Sequence, residues 1–227
     1  MSLRLEVVAD PDAAARFVAE RLAEAARAGG HVVLTGGETP RRAYELAAEL
    51  ESDWSNVEVW WGDERCVATD DPWSNYLLVK DSLLDRLQKG PAAVHRIHGE
   101  DDPEQAASTY EEEVRGVIFK VVLNGLGPDG HTASLFPNAP TLEVRDRLVV
   151  PADPGHEPYV KRITLTIPAL EHCRTMLFLA TGESKTDAAR RAFGDPPSPE
   201  TPASLVRSAL GETVAVLDTA AAAELRQ

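Results

Sequence analysis

Short, nearly continuous apolar runs rich in valine, leucine and isoleucine alternate along this chain with longer amphipathic stretches. That is the pattern of strands interleaved with helices. LRLEVVA (3–9) predicts a strand. Asp10 is placed to cap a helix with Pro11 in its first turn, and Gly29 is placed to end it. HVVLT (31–35) and VEVWW (57–61) predict two more strands, with a helix from Pro40 to about Leu50 between them. Helices follow at about 74–84, 103–115 and 183–193, and strands at 94–98, 116–124, 162–167, 175–181 and 213–217. Asp218 is placed to cap a short final helix. This alternation predicts one α/β domain over residues 1–227, with a mostly parallel, doubly wound (Rossmann-like) sheet and helices on both faces. Ligands in such sheets bind beyond the carboxyl ends of the strands. The loops at 35–39, 62–75 and 124–134 each follow a predicted strand, so all three are expected to open on one edge.

Composition narrows the classes. The 227 residues are 43% hydrophobic, enough for a substantial core, and no apolar run approaches the roughly 18–20 residues needed to span a bilayer. The N-terminus lacks a basic region followed by an apolar one, so no secretory signal is expected. Cys66 and Cys173 lie far apart in no metal-like spacing, which points to a reducing, cytoplasmic setting. A formal net charge of −14 argues against nucleic acid as a partner. A small anion would have to be held by a few local cations and backbone N–H groups. There is no internal repeat, and GDPPSPETP (194–202) reads as a surface loop.

Three loops carry candidate chemistry. In TGGETP (35–40), Gly36, Gly37 and Thr39 would present unpaired N–H groups near a helix start, an arrangement suited to a phosphate ester. Taken alone, the same loop also reads as a plain strand–helix turn with a threonine cap. In WWGDERCVATDDPWSNY (60–76), Asp63, Glu64 and Arg65 follow one another, Ser74 is placed as a cap, and Asn75 has no local explanation. In VVLNGLGPDGHTASLFP (121–137), Asp129 lies two residues from His131, with a short helix expected from His131. A carboxylate orienting an imidazole makes a general base near neutral pH. Arg162 and Lys185 sit at the starts or ends of predicted elements where cations could face the same edge. No histidine, cysteine and carboxylate cluster has metal-ligand spacing.

GGETP, WGDERCV with SNY, GLGPDGHTASLFP, RITLT and TGESK, in this order and spacing, resemble the 6-phosphogluconolactonase family. That family shares its fold superfamily with glucosamine-6-phosphate deaminase. The resemblance implies hydrolysis of 6-phospho-D-glucono-1,5-lactone to 6-phospho-D-gluconate in the pentose phosphate pathway, with no metal or organic cofactor. It implies a sugar-phosphate lactone as the partner, with neither nucleic acid nor membrane, in a cytoplasmic monomer or weak homo-oligomer. Residue by residue, it makes His131 the group that activates water, with Asp129 beside it and Asp63 and Arg65 in the active site. Gly36, Gly37 and Thr39 match the phosphate loop, Asn75 a substrate-binding position, and Arg162 and Lys185 its cationic partners. The deaminases continue their Asp-Gly-His run through Ile-Ala-Phe-Asn-Glu and prefer Asp-Glu-Tyr. This chain has no Glu between His131 and Glu143, and has Asp63-Glu64-Arg65. It departs from the lactonase pattern at Glu38, Lys120 and Asn124, and the carboxylate of Glu38 would repel a phosphate unless it points to solvent. The segment 151–160 is a candidate lid.

Overall fold

The computed structural model describes residues 3–225. In chain order its elements are β1 (Leu3–Val8), α1 (Pro11–Ala28), β2 (Gly30–Leu34), α2 (Arg41–Leu50), β3 (Val57–Trp61) and β4 (Asp63–Arg65). Then come α3 (Asn75–Ser82), β5 (Ala93–His95), α4 (Pro103–Val114), β6 (Phe119–Gly125), β7 (Val149–Ala152) and β8 (Arg162–Leu165). The chain closes with α5 (Ile167–Glu171), β9 (Cys173–Ala180), α6 (Thr186–Ala189) and β10 (Glu212–Asp218).

Seven strands form a parallel sheet in the order β1-β10-β9-β6-β2-β3-β5. Val32, Val33 and Leu34 of β2 are wholly buried, as are Val122 and Leu123 of β6 and Met176, Leu177 and Phe178 of β9. Consecutive apolar residues are what a strand covered on both faces requires. The caps behave as their side chains dictate. Asp10 accepts the Ala13 N–H at 2.8 Å to start α1, and Asp102 accepts from Glu104 and Gln105 to start α4. From β2 the chain moves outward to β3, whereas from β6 it moves the other way to β9. The loops after these two neighbouring strands therefore diverge and leave a crevice between them, at the switch point where open parallel sheets bind ligands.

A second sheet, antiparallel and ordered β4-β8-β7, stands beside this crevice. The sequence pattern did not foretell it. β4 is the charged Asp63-Glu64-Arg65 run, too short for any periodicity, and it is a strand because its backbone pairs with Arg162–Leu165. The expected strand at 162–167 exists, but it belongs to this small sheet, and α4 packs against it at β7 and β8. Among the described residues two expected helices are absent. Asp218 caps a run of turns, its Oδ1 accepting from Ala221, and the chain after His131 folds as a tight loop.

Candidate active site

The loop after β6 is closed by its own backbone. Gly130 donates to the Gly127 carbonyl at 3.0 Å, Gly127 to the His131 carbonyl at 2.8 Å, and the Thr132 hydroxyl to Gly125 at 2.9 Å. This curl brings the His131 Nδ1 to 2.5 Å from Asp129 Oδ1, while the Asp129 carboxylate also accepts the His131 backbone N–H. Burial works to raise the Asp129 carboxyl, but the hydrogen bond and charge of His131 outweigh it and hold the group at about 2. The ionised Asp129 accepts a hydrogen bond from Nδ1–H and leaves Nε2 as the working atom of His131. Gly127 has to be glycine: a Cβ there would lie 2.0 Å from His131 Nδ1 and 2.7 Å from Asp129 Oδ1. Arg191, beyond α6, holds the loop from outside, donating to the carbonyls of Pro128 and Asp129 and to the Thr201 hydroxyl.

β4 and the start of α3 form the facing wall. Glu64 is only 4% exposed and accepts from the backbone N–H groups of Arg65, Asn75 and Tyr76 and from the Ser74 hydroxyl. Burial nevertheless pushes its carboxyl up to about 7, with the charge of Asp63 adding to the shift. Asp63 takes a 2.6 Å hydrogen bond from the Ser134 hydroxyl, which ties the catalytic loop to this wall. Asn75 now has its explanation: its amide donates to the Asp63 carbonyl at 2.8 Å and to Oδ1 at 3.2 Å. Its Oδ1 reaches across to the glycine loop, where a Cβ on Gly36 would lie 1.7 Å away.

The backbone N–H groups of Gly36, Gly37, Glu38 and Thr39 donate to nothing among the described residues. Tyr44 of α2 fixes the root of this loop, donating its hydroxyl to the Thr35 carbonyl and accepting the Thr35 N–H. α2 begins at Arg41 with Pro40 as its cap residue, and the Thr39 hydroxyl caps nothing. The Glu38 side chain is 78% exposed and pairs with Arg41 at 2.8 Å, so solvent and a cation offset the charge it brings to this edge of the cavity.

These walls enclose a cavity of about 650 Å³. Gly36, Gly37, Thr39, Asp63, Arg65, Asn75, Asp129, His131, Arg162 and Lys185 all line it. The loops after β2, β3 and β6 thus open together, as the alternating pattern implied. The charges are arranged unequally. Asp63, Asp129 and Glu38 are engaged by protein donors, and Glu157 is exposed at the rim. Among the described residues, Arg65, Arg162 and Lys185 have no carboxylate within ion-pair distance. Arg162 is 1% exposed, and the Nε atoms of both arginines lack a partner. Burial, with the charge of Arg65, pulls the Arg162 guanidinium down, and burial lowers Lys185. Cations that are costly to bury and have no protein counter-ion make an anion site.

The sequence did not single out Ser134, Arg191 or His156 as site residues. Ser134 carried a usable signal, three positions beyond His131, but Arg191 reads like any charge on a surface helix. Asn124, a departure from the resembled pattern, is buried with its Nδ2 unpartnered, and nothing in the structure explains it. Among the described residues no cluster of histidine, cysteine and carboxylate side chains could hold a metal, and no helix is long and apolar enough to cross a membrane.

Residues 9–215 match the family described as glucosamine-6-phosphate isomerases/6-phosphogluconolactonase. The chain belongs to this family. A 6-phosphogluconolactonase of Synechocystis sp. is 38% identical over 213 residues, spanning 89% of this chain and 87% of the relative. The crystal structure of a 6-phosphogluconolactonase from Thermotoga maritima superposes with a TM-score of 0.83 at 30% identity, covering 96% of this chain and 100% of that one. A monomeric glucosamine-6-phosphate deaminase superposes with a TM-score of 0.86 at 20% identity, over 97% of this chain and 99% of that one. The fold is therefore common to both branches of the family, and the site has to discriminate between them.

Proposed function

We propose that this chain, as one catalytic domain in the cytoplasm, hydrolyses 6-phospho-D-glucono-1,5-lactone to 6-phospho-D-gluconate in the oxidative pentose phosphate pathway. One observation carries the reading. The Asp129–His131 pair faces a cavity whose carboxylates, the exposed Glu157 apart, accept from protein donors, while its cations have no carboxylate partner. A δ-lactone is an activated ester, so its hydrolysis needs a placed water, a base and stabilisation of an oxyanion, and no metal or cofactor.

His131 Nε2 takes a proton from water as the oxygen bonds to C1. Asp129 holds the ring and stabilises the imidazolium that forms. Arg65, with backbone N–H groups, stabilises the tetrahedral oxyanion. The free N–H groups of the Gly36–Gly37–Thr39 loop, with Arg162 and Lys185, hold the phosphate end, so that remote binding energy sets C1 against the water. Asn75, its amide N–H groups bonded to Asp63, braces the glycine loop and does not hold the phosphate. The collapse of the intermediate expels the ring oxygen, which needs a proton as it leaves.

The test is hydrolysis of the lactone generated in situ near neutral pH, with the spontaneous rate subtracted. Glucono-1,5-lactone and glucosamine 6-phosphate run beside it. Saturable hydrolysis of the phosphorylated lactone, with far weaker use of the unphosphorylated one, is the expected result. Ammonia release from glucosamine 6-phosphate would hand the chain to the deaminase branch. Binding of 6-phosphogluconate without turnover would leave a pocket without a catalyst.

A further inference from the structure

We propose that His156 is a second acid–base residue of this site, sharing one proton with His131 and delivering it to the departing ring oxygen. The proposal deepens the lactonase reading and rests on it. His156 lies on the segment joining β7 to β8 and lines the cavity. Its Nδ1 is 2.5 Å from the Glu157 carbonyl, and a carbonyl only accepts, so this nitrogen carries a proton. His131 Nδ1 likewise carries a proton and donates it in a hydrogen bond to the ionised Asp129. Each ring is left with Nε2 alone, and the two Nε2 atoms face each other at 3.3 Å. With nothing between them, two lone pairs would be opposed. One proton between them makes a hydrogen bond whichever ring owns it.

The placement is built in. Gly155 presses against Phe136 so closely that a Cβ would lie 2.4 Å from its ring, and Phe136 touches both imidazoles, with centroids at 5.1 and 5.5 Å. The buried Arg162 donates to the carbonyls of His156 and Pro158, pinning the segment from below. The charged groups around His156 are His131 and Asp129 on the loop after β6, Arg162 on β8, and the exposed Glu157. Burial and the charge of His131 both pull the His156 imidazole below its ordinary value, which makes it a ready donor.

The steps balance. At rest the shared proton sits on His131, the ring beside the ionised Asp129, and its passage to His156 Nε2 gives the neutral His131 and cationic His156 from which attack starts. Water loses a proton to His131 Nε2 as its oxygen bonds to C1. As the C1–O bond to the ring oxygen breaks, the electron pair goes to that oxygen, which takes the proton from His156 Nε2. The proton left on His131 restores the resting pair, and the product carboxylic acid ionises to solvent. The attacking and leaving oxygens share one carbon in the intermediate, so base and acid must stand side by side, as these two nitrogens do.

The test is the pH–rate profile of the wild type and of His156→Gln, which keeps a side-chain N–H and cannot titrate. The expected wild-type kcat profile is a bell. The variant should lose about 10²-fold in kcat, change KM by less than about 3-fold, and lose the alkaline limb. A variant with wild-type kcat and an intact alkaline limb would overturn the proposal. Nitrogen-15 spectra of the wild type, which need no activity, should show His131 and His156 titrating as a coupled pair. Independent titration of the two rings would overturn the shared proton even in an active enzyme. If the coupling were seen but no lactone were hydrolysed, the acid role would be overturned together with the lactonase reading.

Discussion

Glu64 is a carboxylate surrounded by donors, and its chemistry can be tested without substrate. Glu64→Gln leaves one acceptor oxygen where the native side chain has two, and sets an amide N–H against backbone N–H groups. A loss of about 1–3 kcal/mol is expected in denaturant unfolding. The native carboxyl sits near 7 against its ordinary 4.5, so the folded state binds a proton more readily than the unfolded one. The stability contributed by that difference is complete below pH 4.5 and is lost as pH rises through 7, a dependence that Glu64→Gln should remove. Gly127→Ala tests the neighbouring pair. Its Cβ would lie 2.0 Å from His131 Nδ1, so the imidazole must shift, and kcat should fall about 10²-fold in a protein that still folds. Asp129 and His131 were legible in the sequence because their partnership is local. The role of Asn75 was not, because its partner Asp63 lies on another element.

At the level of elements, the alternation of apolar runs and amphipathic stretches was enough to find the strands of the main sheet and the helices between them, except α5, whose first residue, Ile167, was read into the strand before it. Its failures have a common cause. β4 and β7 are strands through pairing with β8, and no residue pattern of three or four positions records such a partner. Asp218 carries the signature of a helix cap, and it does cap a backbone N–H, yet no helix follows. The catalytic loop depends on a similar long-range device, the guanidinium of Arg191 bonded to the carbonyls of Pro128 and Asp129. Arg191→Ala should leave the fold intact and lower kcat about 10-fold with KM little changed, because the loop and not the phosphate end is loosened. Circular dichroism and steady-state kinetics on one preparation check both halves of that statement.

Across the whole molecule, the sheet decides where the site is and the charges decide what it takes. Its loops diverge between β2 and β6, and the small antiparallel sheet closes the crevice on one side. The chain carries a net charge of −14, yet Arg65, Arg162 and Lys185 converge on the cavity without carboxylate partners. Lys185→Ala should therefore raise KM for the phosphorylated lactone by about 10–100-fold while leaving kcat near the wild-type value. The most direct test of the account is the turnover of His131→Ala on the same substrate at saturation, with folding checked in parallel. The variant's kcat should fall about 10²–10⁴-fold with KM nearly unchanged. A folded His131→Ala enzyme turning over at close to the wild-type rate would contradict it, and the base would have to be sought elsewhere in the cavity.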